Sequence, residues 1–221
     1  MTRSKNRFWR VLLVAAALIA WFQTQALIGR RGLPPHGISD RVHELTAPLN
    51  AALSVRPGAV NGLLIASSLF IDLLGLFLIL WSIFGPSLRP LVGLMAVFLL
   101  RQICQGLTSL QPPENVLWHD PGFPSLLVTY GVSTDLFFSG HTSIAVYGAT
   151  ELARFKKRWL TTLAIAVVTF EIATVLILRA HYMMDVFTGI VTSLLVASCS
   201  ETLARPVDHW LIAIPPREQK N

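Results

Sequence analysis

Charge is scarce in this sequence. Asp, Glu, Lys and Arg make up 14% of its 221 residues, where a soluble domain carries about 25%. Mean hydropathy is +0.58 and 53% of the residues are hydrophobic, which excludes an ordinary soluble domain and indicates a membrane class. Cysteine is scarcer still. Cys104 and Cys199 are the only two, each inside or at the end of an apolar run, so both read as small hydrophobes rather than a disulfide or metal pair. Internal repeats and low-complexity tracts are missing, and the length fits one domain, 1–221. The net charge of +6 does not point to nucleic acid, because the basic residues cluster beside apolar runs as they do in cytoplasmic loops of membrane proteins.

What the sequence has instead is long apolar runs. About 20 mostly apolar residues span a bilayer as a helix, and such runs appear near 9–28, 59–83, 90–108, 137–153, 160–178 and 183–203. Backbone groups in lipid must be satisfied within a helix, so the expected fold is an all-α bundle of six transmembrane helices with both termini on one side. The first run imitates a signal peptide, but Arg30 and Arg31 follow it rather than a small-residue cleavage site, so an uncleaved span is expected. Arg3, Lys5, Arg7 and Arg10 share a side with Arg154, Lys156, Lys157 and Arg158, whereas the 109–135 connection holds Glu114, Asp120 and Asp135 without Lys or Arg. The termini are therefore expected in the cytoplasm and the 109–135 connection at the exoplasmic face. The 30–58 connection, with Arg30, Arg31, Arg41 and Arg56, runs against that trend. Within it Ile38, Val42, Leu45, Leu49 and Leu53 recur at helical spacing after a cap at Ser39, which predicts a short amphipathic helix in the interface, expected to pack on the bundle, with guidance of lipid entry the alternative.

Two short stretches carry chemistry. One is Asp135 to Thr142 (Asp-Leu-Phe-Phe-Ser-Gly-His-Thr), at the start of the fourth run. The other is Arg179 to Val186 (Arg-Ala-His-Tyr-Met-Met-Asp-Val), between the fifth and sixth. Six spans bring both to the same membrane face. His181 and Asp185, at i and i+4, share a helix face. A carboxylate on one imidazole nitrogen fixes the tautomer and makes the other nitrogen a better nucleophile, here for phosphorus. His141 is placed to protonate a departing alkoxide and to deprotonate an incoming hydroxyl. Arg179 offers a cationic fork for phosphate oxygens. Ser139 and Gly140 stand where a helix begins, and unpaired N–H groups there favour an anion. The competing reading is bland: interfacial histidines are common, and Asp185 also suits a helix N-terminus.

These motifs resemble the two signature motifs of the sphingomyelin synthase family, within the wider group of type 2 phosphatidic acid phosphatases. The stretch Arg101 to Pro113, with Thr108-Ser109-Leu110-Gln111-Pro112-Pro113, is similar to a third family motif of the type Thr-Thr-Leu-Pro-x-Pro. The resemblance covers about residues 95–203, and the plant phosphatidylcholine:diacylglycerol cholinephosphotransferases share much of it. It implies six spans, an exoplasmic active site, no metal or other cofactor, a nucleophilic His181 paired with Asp185, and His141 as acid and base. Met183 departs from the Ser or Thr usual in the synthases, and Gln111 stands for a proline of the third motif.

Other polar residues complete the reading. Asp72 and Arg101, on adjacent spans, are expected to pair as a structural bridge, with phosphate contact the alternative for Arg101. Glu171 lies too deep for direct catalysis. Asp135, ahead of Glu114 and Asp120, is the acid best placed for a cationic head group, and Trp118, Phe137, Phe138 and Tyr182 could stack on a quaternary amine. The expected function is transfer of phosphocholine or phosphoethanolamine from a glycerophospholipid to a lipid alcohol, ceramide or diacylglycerol, both partners coming from the bilayer. A hydrolase with the same histidines is the near alternative, and a transporter lined by polar residues the distant one.

Overall fold

The computed structural model describes residues 2–30, 38, 40–130 and 136–213. They form seven helices: α1 (Thr2–Ile28), α2 (Arg41–Ser54), α3 (Pro57–Phe84), α4 (Arg89–Leu107), α5 (Gly140–Ala153), α6 (Arg158–Ile177) and α7 (Met183–Ala213), with no strand among the described residues. Pro57 and Pro90 stand in the first turns of α3 and α4, where a missing N–H costs nothing and the fixed φ suits the helix.

Five helices are long and apolar enough to cross a membrane: α1 over Asn6–Leu27, α3, α4, α6 and α7. The run expected at 137–153 yields only the 14 residues of α5, about 21 Å of helix against roughly 30 Å of hydrocarbon. Its limits are chemical. Ser139 caps its start, and the charges from Arg154 onward close its end. α5 is sheltered by α3, α4, α6 and α7, and Thr142 to Gly148 are all buried.

Polar contacts mark two ends of the bundle. At one end Arg10 donates to the Gly85 carbonyl at 2.7 Å, Arg89 meets Glu151 at 2.6 Å, and Asp208 accepts the Leu88 N–H at 2.8 Å. At the other, Arg101 donates to the carbonyl of Phe138 at 2.7 Å. Since Arg89 and Arg101 lie towards opposite ends of α4, α5 runs antiparallel beside it, linking the same two ends. Between them Trp21 stacks on Phe98 at 4.5 Å in a core shared with Ile71, Leu94, Val97 and Tyr147.

The predicted bridge between Asp72 and Arg101 is corrected. Asp72 accepts the backbone N–H groups of Leu126 and Leu127 at 2.8 and 2.9 Å. A non-helical stretch of the α4–α5 connection therefore lies against the middle of α3, and a carboxylate in an apolar helix satisfies backbone donors that would otherwise be costly there.

α2 has its polar side inward. Leu45 and Leu49 are exposed, while His43 and Asn50 are buried. The expected cap, Ser39, lies outside the described residues; Asp40 caps the helix, its carboxylate accepting from Val42 and His43 N–H. Asn50 donates to the carbonyl of Ile177 at 2.8 Å and so satisfies the C-terminus of α6.

One close approach demands glycine. A Cβ on Gly93 would stand 1.9 Å from the Tyr147 hydroxyl and 2.3 Å from its Cζ. Tyr147 is fully buried and donates to the Arg89 carbonyl at 3.1 Å, so its ring cannot yield without losing that bond. Gly93→Ala should lower stability by about 1–3 kcal/mol, read as a lower melting temperature of the detergent-solubilised protein.

Candidate active site

The site is assembled where α5 and α7 begin. The N–H of Ser139 donates to the Asp185 carbonyl at 3.1 Å, the Ser143 hydroxyl to the Ser139 carbonyl at 2.6 Å, and the Ser193 hydroxyl to the Ser143 carbonyl at 3.1 Å. Gly189 of α7 faces this ladder with no room to spare, because a Cβ there would meet Ser143 Oγ at 2.9 Å and the Ser139 carbonyl at 3.0 Å. The two motif stretches are thereby held together although forty residues separate their histidines.

His181 precedes α7. Its Nδ1 lies 2.9 Å from the carbonyl of Leu136. A carbonyl only accepts, so Nδ1 carries the proton and the lone pair of the neutral ring is on Nε2. Asp185 stands behind at 3.6 Å from Nδ1, beyond hydrogen-bond range. Its Oδ2 accepts the Tyr182 N–H at 2.8 Å, capping α7, and its Oδ1 is buried without a hydrogen-bond partner. The tautomer is thus set by the Leu136 carbonyl, while the carboxylate supplies charge next to the ring.

His181, His141, Gly140 and Arg101 line one cavity of about 80 Å³, whose other walls include Trp21, Phe98 and Trp118. His141 sits edge-on to Trp118 at 4.8 Å and 83°, and its Nε2 has no hydrogen-bond partner. Gly140 and His141 are the first residues of α5, which brings the positive end of that helix to the cavity. A Cβ on Gly140 would lie 3.3 Å from Nε and Cζ of Arg101, so the glycine lets the guanidinium rest against the start of the helix.

The remaining candidates fall elsewhere. Ser139 is fully buried and acts through its hydroxyl as the α5 cap, accepting from Thr142 N–H at 3.3 Å. Arg179 and Tyr182, expected at the substrate, line a second cavity of about 560 Å³ with Asp40, His43, Gln111 and Glu114. Arg179 has φ of +61°, and its Nη2 donates to the His43 carbonyl at 2.5 Å. Tyr182 donates to the Gln111 carbonyl at 3.0 Å, and burial raises its phenol above the ordinary value. Asp135 lies outside the described residues. Asp120 accepts the Gly122 N–H at 2.8 Å in a turn. Glu171 is fully buried in α6 and accepts from the Ser67 hydroxyl at 2.6 Å.

Sequence reasoning missed Gln25 and Trp21, which bring α1 to the cavity wall; the polar break Gln23-Thr24-Gln25 at the end of an apolar run was the available signal. It also missed Asp40 and His43, whose signal was a polar face opposite the leucines of α2. Among the described residues no three His, Cys, Asp or Glu side chains stand together as a metal-binding group.

Helices long enough to cross a membrane, wrapped around a cavity that holds two histidines and an arginine, define a multi-pass membrane protein with a candidate catalytic site. The AtPDCT1/2 family model matches residues 39–202. The chain belongs to that family, the phosphatidylcholine:diacylglycerol cholinephosphotransferases. The match begins just ahead of Asp40 and ends within α7, so it takes in α2 and both histidine motifs and leaves out α1. No curated protein and no solved structure matches the chain.

Proposed function

We propose that this protein moves phosphocholine from phosphatidylcholine to diacylglycerol by a two-step exchange through a phospho-histidine at His181. The observation that carries the reading is the pairing of His181, with its proton held on Nδ1 by the Leu136 carbonyl, with His141 and Arg101 across one cavity. In the first step Nε2 of His181 attacks phosphorus, the bond to the glycerol oxygen breaks, and protonated His141 gives its proton to the departing diacylglycerol. In the second, His141 takes the proton of an incoming diacylglycerol hydroxyl, the oxygen attacks phosphorus, and the P–N bond breaks. Arg101 and the start of α5 offset charge on the phosphoryl oxygens, which is the larger part of phosphoryl-transfer catalysis.

The fold we propose is the six-crossing bundle of type 2 phosphatidic acid phosphatases, with α5 as the short sixth crossing. Its antiparallel run beside α4 supports this. The concentration of Arg10, Arg89, Arg154 and Lys156 at the end away from the cavity supports cytoplasmic termini and an exoplasmic site. Diacylglycerol rather than ceramide is the acceptor that the family name favours.

The test supplies the detergent-solubilised protein with choline-labelled phosphatidylcholine and a diacylglycerol of different acyl chains. Labelled phosphatidylcholine bearing the acceptor's chains is expected, and it should be absent with His181→Ala. Free phosphocholine forming at the same rate with or without acceptor would make the protein a hydrolase and overturn the proposal.

A further inference from the structure

We propose that His43 of α2 and its cap Asp40 are positioning residues that hold the backbone running from His181 into α7. The inference deepens the transfer reading and rests on His181 being the nucleophile. His43 is 6% exposed, and its Nε2 lies 2.9 Å from the carbonyl of His181. The carbonyl accepts, so Nε2 of His43 bears the proton. Burial holds the His43 ring below its ordinary pKa despite that bond, so the neutral Nε2–H tautomer makes the contact near neutral pH. The same ring stacks on Tyr182 at 5.5 Å.

Asp40 acts one peptide further along, across Tyr182. Its Oδ1 accepts from Val42 N–H at 2.8 Å and His43 N–H at 3.3 Å, and its Oδ2 accepts from Met183 N–H, at the first residue of α7. One carboxylate therefore caps the N-termini of two helices and meets the positive end of both. Arg179 closes the loop through its bond to the His43 carbonyl. The peptide groups at residues 181 and 183 are thus tied to α2, while the His181 ring is tied to Leu136. Any slip of the turn would move Nε2 relative to phosphorus, and a displacement near 1 Å can cost about a hundredfold in rate.

α2 also touches the bundle at a point that does not involve this turn, the bond from Asn50 to Ile177. That separates positioning from mere support. The experiment measures head-group exchange, melting temperature and the rate at which diethylpyrocarbonate modifies His181, read by peptide mass spectrometry, in the full-length protein. His43→Leu should lower kcat about ten- to a hundredfold, with KM for both lipids within about twofold and the melting temperature little changed. His43→Gln, which keeps an N–H donor, should recover most of the loss. Asp40→Asn, which sets an NH2 group against one or two of the three N–H donors, should resemble His43→Leu. Asn50→Ala should keep the parental kcat. In His43→Leu and Asp40→Asn, but not Asn50→Ala, the modification rate of His181 should change. An unchanged kcat in His43→Leu, a loss confined to KM, or an equal loss in Asn50→Ala would overturn the assignment. If the parental protein transfers no head group yet His181 reactivity responds as described, the transfer reading fails and the positioning role stands.

Discussion

His181→Ala should abolish exchange, with a loss of about four orders of magnitude or more, because it removes the nitrogen that bonds to phosphorus and leaves His141 to the proton of the alcohol. Asp185→Asn should cost less, and the geometry says why. Where a carboxylate fixes the tautomer of its histidine, the amide can reverse it and cost about ten-thousandfold. Here the Leu136 carbonyl holds the proton on Nδ1 at 2.9 Å, and Asp185 lies 3.6 Å away with Oδ2 engaged by Tyr182. The amide keeps an oxygen for the Tyr182 N–H and leaves the tautomer alone. What it removes is negative charge beside a ring that becomes cationic once Nε2 is phosphorylated, a loss of about 10²–10³ in rate. Initial rates of labelled-lipid exchange measure both variants, and intact-mass spectrometry after an acid-free quench reads the adduct. Equal losses in the two variants would show that Asp185, not the carbonyl, sets the tautomer.

The residues that hydropathy could place were those facing lipid or ending a run. His141 and His181 each stand at a run boundary, and in the six-crossing arrangement proposed above the even number of crossings between them puts them at one face whatever the side-chain details. The partner of a buried polar group is a different question. Asp72 sits in an apolar helix, and the sequence offered Arg101 as its nearest opposite charge. Its real partners are the N–H groups of Leu126 and Leu127, which belong to a stretch with no periodic pattern to announce its depth. Arg179 drew attention by standing two residues from His181, but a left-handed φ at that residue accompanies a side chain turned to the neighbouring cavity. Arg101, for which phosphate contact was the alternative to a bridge with Asp72, lines the cavity of the two histidines from another helix. For α2 the leucine stripe was legible and its outward orientation was not. A stripe of that kind can face lipid or protein, and the choice fell to His43 and Asn50, whose hydrogen bonds are available only on the inner side.

His141→Ala is expected to lower exchange by about 10²–10⁴, and the form of the loss distinguishes acid–base catalysis from support of the cavity. Nε2 of His141 has no hydrogen-bond partner in the protein and lies in the cavity that His181 lines, so removing the ring breaks no internal hydrogen bond at that atom. A glycerol alkoxide is a poor leaving group and needs a proton as it departs; a nitrophenolate does not. With nitrophenyl phosphocholine as donor, His141→Ala should therefore release close to one nitrophenolate per site at a rate near that of the parental protein. It should then stall, since the second step still requires a base for the diacylglycerol hydroxyl. His181→Ala should release none. A burst followed by arrest assigns the two histidines to different atoms of the same reaction: one bonds to phosphorus, the other carries the proton of the alcohol. If His141→Ala shows no burst, the ring is needed to shape the cavity or bind the donor, and the proton must be carried by another group.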